Sequence, residues 1–403
     1  GFRENAIKVL SSTPTLVAGL NLPARRVIIR GFRRYDPNYG MVPIPVLEYK
    51  QMAGRAGRPG LDPYGESVLV VKSYDEMNQL LEQYVLSSAE DIWSKLGSEN
   101  ALRTHILSAV STGIVKSREE LMDFLEHTFY AYQQDTWRLA AVVDDVLNFL
   151  ENNEMLVDSD GLFPTRLGEL VSKLYIDPMS ASIIVDGLRD LETVNVTELT
   201  CLHLIYKTPD MRRLFLRSND YSWLGDFVSQ YSDQFVHPPS PSSDDYEWFL
   251  SEVKTAMVLL DWISEIKEDD ITRRFNIGPG DIRAQADNAE WLMHSTARIS
   301  AHLGNKYTPF INGLVERISY GASSELLPII KIKGIGRVRA RKLYAAGYKD
   351  IEAIRKAGYE IIARIIGPKV AANTLGQLGV DINSDEVQNY EVKKTGNQNI
   401  LEF

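Results

Sequence analysis

Ten consecutive residues, Gln51 to Gly60 (QMAGRAGRPG), constrain this chain more than any other stretch of it. They place a glutamine and two arginines, Arg55 and Arg58, at the spacing Q-x-x-G-R-x-G-R. Arginine keeps its charge at every physiological pH and offers a planar fork of donors. Glycines beside it let the backbone come close to a ligand. A pair of guanidiniums in such a loop suits a polyphosphate. In phosphoryl transfer a group of this kind neutralises charge developing on the transferred phosphate, an effect of roughly 10³–10⁵ in rate. The plainer alternative is a basic, glycine-rich loop on nucleic-acid backbone, but so long a pattern is hard to meet by accident.

At 403 residues the chain has room for several domains, each with its own core. Its 44% hydrophobic and 24% charged residues are those of an ordinary globular protein rather than a disordered one. The longest apolar runs, such as residues 256–260, are too short to cross a bilayer, and no secretory signal is visible. The single cysteine, Cys201, excludes an intrachain disulfide and a cysteine-rich zinc site, and is expected in the core. The 6 scattered histidines show no metal-ligand spacing, so no metal site is expected on this chain. Reducing, intracellular conditions fit.

A net charge of −10 argues at first against nucleic acid, yet the distribution reverses that reading. Residues 25–34 hold Arg25, Arg26, Arg30, Arg33 and Arg34 and no acid. Residues 331–342 hold Lys331, Lys333, Arg337, Arg339, Arg341 and Lys342, again without an acid. Acids gather elsewhere, as at Glu265, Glu268, Asp269 and Asp270. Local basic faces set where phosphates dock, although an exposed charge run alone is usually a solvated face.

Along the chain the pattern changes several times. Residues 1–88 alternate strand and helix, with short apolar runs at 6–11, 26–30 and 66–72 that look like buried parallel strands. Turn residues at 35–40, flanked by 26–32 and 41–47, predict a β-hairpin whose tip carries Tyr35 and Tyr39. Residues 89–178 have winged-helix grammar: a capping box at Ser117 and Glu120, a long amphipathic helix over 137–153, and a small hairpin over 155–164. That helix, with Asp144, Asp145 and Glu151, is too acidic to read DNA, so a packing role is expected. Residues 179–320 read as all helical, broken by the proline-rich loop at 237–243. Gly278 to Asp281 predicts a stop followed by an N-cap at Asp281, then a helix to Leu303. On it Trp291, His294 and Arg298 share one face; core packing is the ordinary role of such a tryptophan. Residues 321–385 read as helix-hairpin-helix, with the Gly334–Gly336 turn starting a helix at Arg337 and a degenerate copy at 365–369. The polar tail, 386–403, is expected to be flexible.

Residues 51–60 resemble motif VI of the Ski-two-like superfamily-two helicases, and residues 12–24 (STPTLVAGLNLPA) are similar to motif V of that group. Over residues 1 to about 380 the chain resembles the archaeal Hjm-type 3′→5′ DNA helicases, relatives of animal HELQ. The fold this implies is multidomain α/β plus all-α. It comprises part of the second RecA-like domain (1–88, with a duplex-splitting pin at about 29–47), a winged helix (89–178), a helical ratchet domain (179–320) and helix-hairpin-helix (321–385).

The resemblance assigns roles. Arg55 and Arg58 would sense and stabilise the γ-phosphate, with Gln51 and Gly54 in the nucleotide cleft. Gly19 and Asn21 would couple nucleotide state to grip on the strand. Thr13 and Thr15 would hold strand phosphates, and Tyr35 and Tyr39 would stack at the fork. Trp291, with His294 and Arg298, would follow the tracking strand, Ala284 rather than Arg283 occupying the register of the family's ratchet arginine. Lys331, Lys333, Arg337, Arg339 and Arg341 would clamp the exiting strand.

ATP and Mg²⁺ are the implied cofactors. No G-x-x-x-x-G-K-[ST] loop and no D-E-x-H box occurs in the sequence, so the metal ligands and phosphate loop are expected on a missing N-terminal RecA-like half, without which this chain should not hydrolyse ATP. The expected partners are single-stranded and forked or branched DNA, in replication-coupled repair and recombination. The cytoplasm of an archaeon, near the nucleoid, is the expected location. The end of the tail (Gln398, Leu401, Phe403) faintly matches a sliding-clamp peptide, and a single-strand-binding protein is another expected partner. An RNA helicase of the exosome or spliceosome type, or a non-catalytic DNA-binding polypeptide, remains open on sequence alone.

Overall fold

Apolar runs that look like strands give little sheet here. The computed structural model describes residues 1–380 apart from Arg3, Asn5, 14–21, 37–39 and Thr136. It divides into two compact units, Gly1–Ser94 and Lys95–Phe403.

The first unit carries β1 (Arg26–Ile29), β2 (Arg33–Asp36), β3 (Gly40–Pro43), α1 (Val46–Ala53), β4 (Glu66–Leu69) and α2 (Tyr74–Leu80), which runs on into a π-helical turn at Leu81–Leu86. Strands β1 and β4 pair in parallel, Arg26 opposite Glu66 and Ile29 opposite Leu69. Their core is small: Ile29, Ile44, Tyr49, Met52, Leu80 and Tyr84. Tyr84 is fully buried, and its hydroxyl donates to the Ile44 carbonyl at 2.7 Å, satisfying the one polar atom it brings inside.

Two expectations for this unit need correction. Residues 6–11 form no strand; Ile7, Val9 and Leu10 are 48%, 82% and 44% exposed. A short apolar run fixes neither strand nor burial unless a neighbouring strand takes up its backbone groups, and among the described residues none does. The hairpin is also shorter than its apolar flanks suggest. Residues 26–29 belong to the parallel pair, while Arg33–Asp36 and Gly40–Pro43 pair with each other, Tyr35 opposite Met41. The Ile44 N–H donates to the Phe32 carbonyl at 2.8 Å and closes the hairpin at its base.

In the second unit α3 (Glu99–Ser111), α4 (Arg118–Glu126), α5 (Phe129–Gln133) and α6 (Trp137–Asn152) precede β5 (Leu156–Asp158) and β6 (Leu162–Pro164), which pair as a wing. The expected cap forms, though not as a full box: Ser117 Oγ accepts the Glu120 N–H at 3.2 Å, while the Glu120 carboxylate accepts the N–H of Lys116, one residue before the cap, at 2.8 Å. Asp144 on the acidic α6 is gripped by Arg118 at 2.7 and 2.9 Å, which ties α6 to α4.

Helices α7 (Arg166–Leu174), α8 (Pro178–Arg189), α9 (Glu198–Tyr206), α10 (Asp220–Gln230), α11 (Tyr246–Ile263), α12 (Glu268–Phe275), α13 (Pro279–His302) and α14 (Thr308–Tyr320) follow. The last group is α15 (Leu327–Ile330), α16 (Arg337–Ala345), α17 (Ile351–Ala357), α18 (Tyr359–Ile366) and α19 (Pro368–Gln377).

Winged helix and helical bundle share one continuous core running from Leu102 to Ile318, whereas α15–α19 enclose their own around Leu326, Ile354 and Leu375. Cys201 lies in the shared core, where burial pushes its thiol pKa up to about 12 and leaves it inert. Helix α13 starts earlier than expected. Gly278 is the N-cap, Pro279 is the first helical residue, and Asp281 reaches back to accept the Gly278 N–H at 2.8 Å. Proline suits that first position because it has no N–H to leave orphaned, so Asp281 falls inside the first turn rather than before it.

One buried ion pair joins winged helix to bundle. Arg103 on α3 donates from Nε and Nη2 to both oxygens of Asp177 at 3.0 Å each, and from Nη1 to Glu99 at 2.6 Å. Asp177 in turn caps α8 through the Met179 N–H at 2.9 Å. Burial opposes the Arg103 charge, but the bonds from Asp177 and Glu99 outweigh it and raise its pKa. Arg103→Met is therefore expected to destabilise the fold by about 3–5 kcal/mol, because it strands the buried Asp177 carboxylate. A urea titration followed by circular dichroism reads the shift. Arg103→Met with Asp177→Asn should recover part of the loss; a single variant with an unchanged midpoint would refute the account.

Candidate functional site

The QMAGRAGRPG segment begins on α1 and leaves it at Ala53. Gln51 sits exposed on the last helical turn, and Gly54 caps the helix, its N–H donating to the Lys50 carbonyl at 2.8 Å. The chain then runs beside Ala24. The Ala24 N–H donates to the Arg55 carbonyl at 3.0 Å, and the Gly57 N–H returns a bond to the Ala24 carbonyl at 2.7 Å. Ala24 is the last residue of the STPTLVAGLNLPA stretch, so two motifs separate in sequence become neighbours through a backbone bridge. Glycine is required at two points. Gly57 has φ +95°, and a Cβ on Gly65 would lie 2.3 Å from the Ala56 carbonyl carbon.

Arg58 does not hang loose in this loop. Its Nε donates to Asp62 Oδ2 at 2.8 Å and its Nη2 to Asp62 Oδ1 at 2.8 Å, while its backbone N–H reaches Oδ2 at 3.1 Å. These bonds and the charges behind them raise the Arg58 pKa and hold the Asp62 carboxyl below the usual range, with Arg25 adding to the effect on Asp62. Arg55 is half-buried beside it. Of the other residues read as nucleotide or strand contacts in this unit, Thr13 is exposed, and Tyr35 lies on β2. Thr15, Gly19, Asn21 and Tyr39 lie outside the described residues. Within the basic run, Arg26 bonds Glu66 at 2.6 Å and Arg34 bonds Glu48 at 2.8 Å, so part of that charge is neutralised internally.

Helix α13 presents the expected stripe. Trp291, His294 and Arg298 are exposed, while Leu292, Met293, Ser295, Thr296 and Ala297 face the core. Trp291 is 38% exposed, and its indole N–H donates to the Leu174 carbonyl at the end of α7, 3.2 Å away. That bond fixes the ring plane against the winged helix. Two turns before Trp291, Arg283 pairs with Asp287 at 3.3 Å.

The basic cluster of the last domain splits in two. Arg341 donates Nε and Nη2 to Glu265 at 2.8 and 2.6 Å and Nη1 to Glu325 at 2.6 Å, and these bonds raise its pKa. Arg337 lies 4.2 Å over the Trp262 ring and bonds Glu268 at 3.2 Å; burial lowers its pKa, with Glu268 and Glu265 opposing. Lys331 pairs with Glu316 at 2.7 Å. These three cations dock the domain on α11, α12 and α14. Lys333 and Arg339 remain exposed, Arg339 bonding the Gly334 carbonyl at 3.0 Å. A cleft of about 690 Å³ runs between the hairpins, lined by Gly336, Arg339 and Lys342 on one side and Gly367 on the other. The degenerate second hairpin thus faces the first.

Sequence reasoning missed Asp62, Leu174, and the Glu265–Arg341 and Trp262–Arg337 contacts. Only Asp62 carried a local signal, an acid four residues after Arg58 across a Pro-Gly turn. Among the described residues no three His, Cys, Asp or Glu side chains converge as a metal's ligands would. No described helix is long and apolar enough to cross a membrane.

Three family models match parts of the chain. Residues 199–321 match the family described as "Archaeal helicase, domain 4", residues 65–157 a "Helix-turn-helix domain", and residues 326–373 a "SAM-like Helix-hairpin-helix tandem". The chain is 50% identical, over 100% of its length, to the ATP-dependent DNA helicase Hel308 of Methanocella arvoryzae, and covers 55% of that protein. Its identity to the proteins of the same name is 39% in Caldivirga maquilingensis, over 94% of this chain and 52% of that one, and 38% in Pyrococcus abyssi, over 96% and 54%. The chain spans about half the length of the curated relatives it matches. With that identity along its length, and with matches to the helicase domain 4 and hairpin tandem, the chain is homologous to the C-terminal portion of the archaeal Hel308 helicases.

Proposed function

We propose that this chain is the C-terminal portion of an ATP-dependent 3′→5′ DNA helicase that unwinds forked or branched DNA in the cytoplasm during repair and recombination. The observation that carries the reading is the Ala24–Ala56 bridge. It sets Arg55 and Arg58 beside the end of the STPTLVAGLNLPA stretch, so that one backbone contact links a polyphosphate-binding loop to a strand-binding one. In this reading the first unit is part of the second RecA-like domain, and Arg55, Arg58, Gln51 and Gly54 face the triphosphate. Thr13 and Thr15 hold strand phosphates, and Gly19 and Asn21 pass the nucleotide state to that grip. Tyr35 and Tyr39 stack at the fork. Trp291, His294 and Arg298 track the strand, and the exposed Lys333 and Arg339, the latter lining the hairpin cleft, clamp it on exit. Magnesium would be held by the nucleotide and by groups beyond this chain.

The experiment is ATP hydrolysis and strand separation by the full-length protein. Stimulation by single-stranded DNA over RNA, and unwinding of 3′-tailed but not 5′-tailed forks, is the expected pattern. Stronger stimulation by RNA would overturn the choice of substrate. The 403-residue chain alone should bind DNA with steep salt dependence and without ATPase activity; hydrolysis by it would overturn the division of labour.

A further inference from the structure

Arg58 occupies an unusual setting for a residue that must reach a phosphate. Its side chain is 34% exposed, while that of Asp62, which grips it, is 6% exposed. The acid is thus the fixed partner and the arginine the presented one. Asp62 is fixed twice over: the N–H groups of Leu61 and Asp62 both donate to the Arg58 carbonyl at 3.0 Å, and its own Oδ2 returns to the Arg58 N–H. The turn between them contains Pro59, with its restricted φ, and Gly60 at φ +76°.

The geometry points to Asp62 as the positioning residue of the Arg58 finger. This rests on the reading of Arg58 given above. The carboxylate takes the Nε–Nη2 edge of the guanidinium and leaves the Nη1 donors directed away from it. Arginine has five N–H donors, of which a side-on carboxylate uses two, so the remainder can bond a phosphate oxygen without breaking the pair. A long, flexible side chain is thereby ordered before nucleotide arrives, and a preorganised donor costs no rearrangement at the moment of transfer. Asp62 touches neither substrate nor metal in this account. It acts through Arg58.

The test is a double-mutant cycle in the full-length protein, read as single-stranded-DNA-stimulated ATP hydrolysis. Asp62→Ala should lower kcat by about 10²-fold, the cost of a misplaced group, with KM for ATP and DNA affinity changed less than about threefold, since a positioning loss falls on the transition state. Asp62→Asn keeps the shape and one acceptor, and should fall in between. In the Arg58→Ala background, Asp62→Ala should cause no further loss.

Several results overturn the proposal. One is Asp62→Ala turning over as fast as the unsubstituted protein, or faster, which would make the carboxylate a bystander or a restraint. Another is Asp62→Ala slowing the Arg58→Ala protein by its full factor. Should the alanine variant fail to fold, Asp62→Asn at full rate also sinks it. If Arg58→Ala itself keeps full activity, the finger reading falls first and this inference with it. Loss in Arg58→Ala alone, with Asp62 variants normal, removes only the role of Asp62.

Discussion

Arg58→Ala in the full-length protein is expected to cut DNA-stimulated ATP hydrolysis by about 10³-fold or more, within the range for removing an arginine that neutralises a transferring phosphoryl group. DNA affinity in the absence of nucleotide should stay within about twofold, because Arg58 faces Asp62 rather than any strand-binding residue in the described structure. Arg58→Lys should rescue little. Lysine carries the charge but lacks the planar fork that Asp62 holds on two parallel bonds. The measurement is steady-state phosphate release at saturating single-stranded DNA, with DNA binding followed by fluorescence anisotropy. Wild-type turnover in the alanine variant would remove Arg58 from the nucleotide site and leave the loop as a backbone contact.

What the sequence made legible was periodic or local. The face of α13 bearing Trp291, His294 and Arg298 follows from the 3.6-residue period, and the structure exposes those side chains while burying Leu292 and Met293 between them. The cap at Ser117 and the wing at residues 156–164 followed from short-range chemistry and are present. Strand placement in the first unit was legible only in part: the runs at 26–30 and 66–72 do pair in parallel, and the run at 6–11 does not form a strand. Residues 6–11 and 26–30 look alike as apolar runs, but only Arg26–Ile29 finds a ladder partner in β4.

The charge pattern misled in an instructive way. Glu265 and Glu268 lie in an acidic stretch and Arg337 and Arg341 in a basic one, and sequence alone treats these as separate surfaces. Folding brings them together across sequence separations of 69 and 76 residues, so that much of the apparent DNA-binding charge is a joint between domains. A net charge of −10 and a basic patch are both true of the chain, but the patch available to DNA is smaller than the residue count implies. Lys333, Arg339 and Lys342 stay exposed along it, as does Lys331, whose charge is met by Glu316 at 2.7 Å. Ion pairs between partly exposed groups contribute little individually; the forked Arg341–Glu265 contact and the Arg337–Trp262 stack add shape to the joint as well as charge.

Trp291→Ala is expected to uncouple the motor. Unwinding should fall at least about tenfold, while ATP hydrolysis stays within about threefold, because the ring lies on α13, whereas Arg55 and Arg58 belong to the other compact unit. Base stacking on an aromatic ring is worth ~1–3 kcal/mol, enough to hold one nucleotide against back-slippage. Core packing predicts otherwise. A tryptophan 38% exposed with its indole N–H on the Leu174 carbonyl also braces α13 against α7, and its loss would then lower stability and spare unwinding at permissive temperature. Trp291→Phe separates the two roles: phenylalanine keeps a stacking face but cannot make the bond to Leu174. Near-normal unwinding in the phenylalanine variant, with loss in the alanine variant, assigns the effect to stacking. Equal loss in both places it in the hydrogen bond that sets the ring plane, and normal unwinding in both returns Trp291 to a packing role. The assay is strand displacement on a 3′-tailed fork alongside thermal unfolding of the same preparations, so that a drop in unwinding is read only where the protein remains folded.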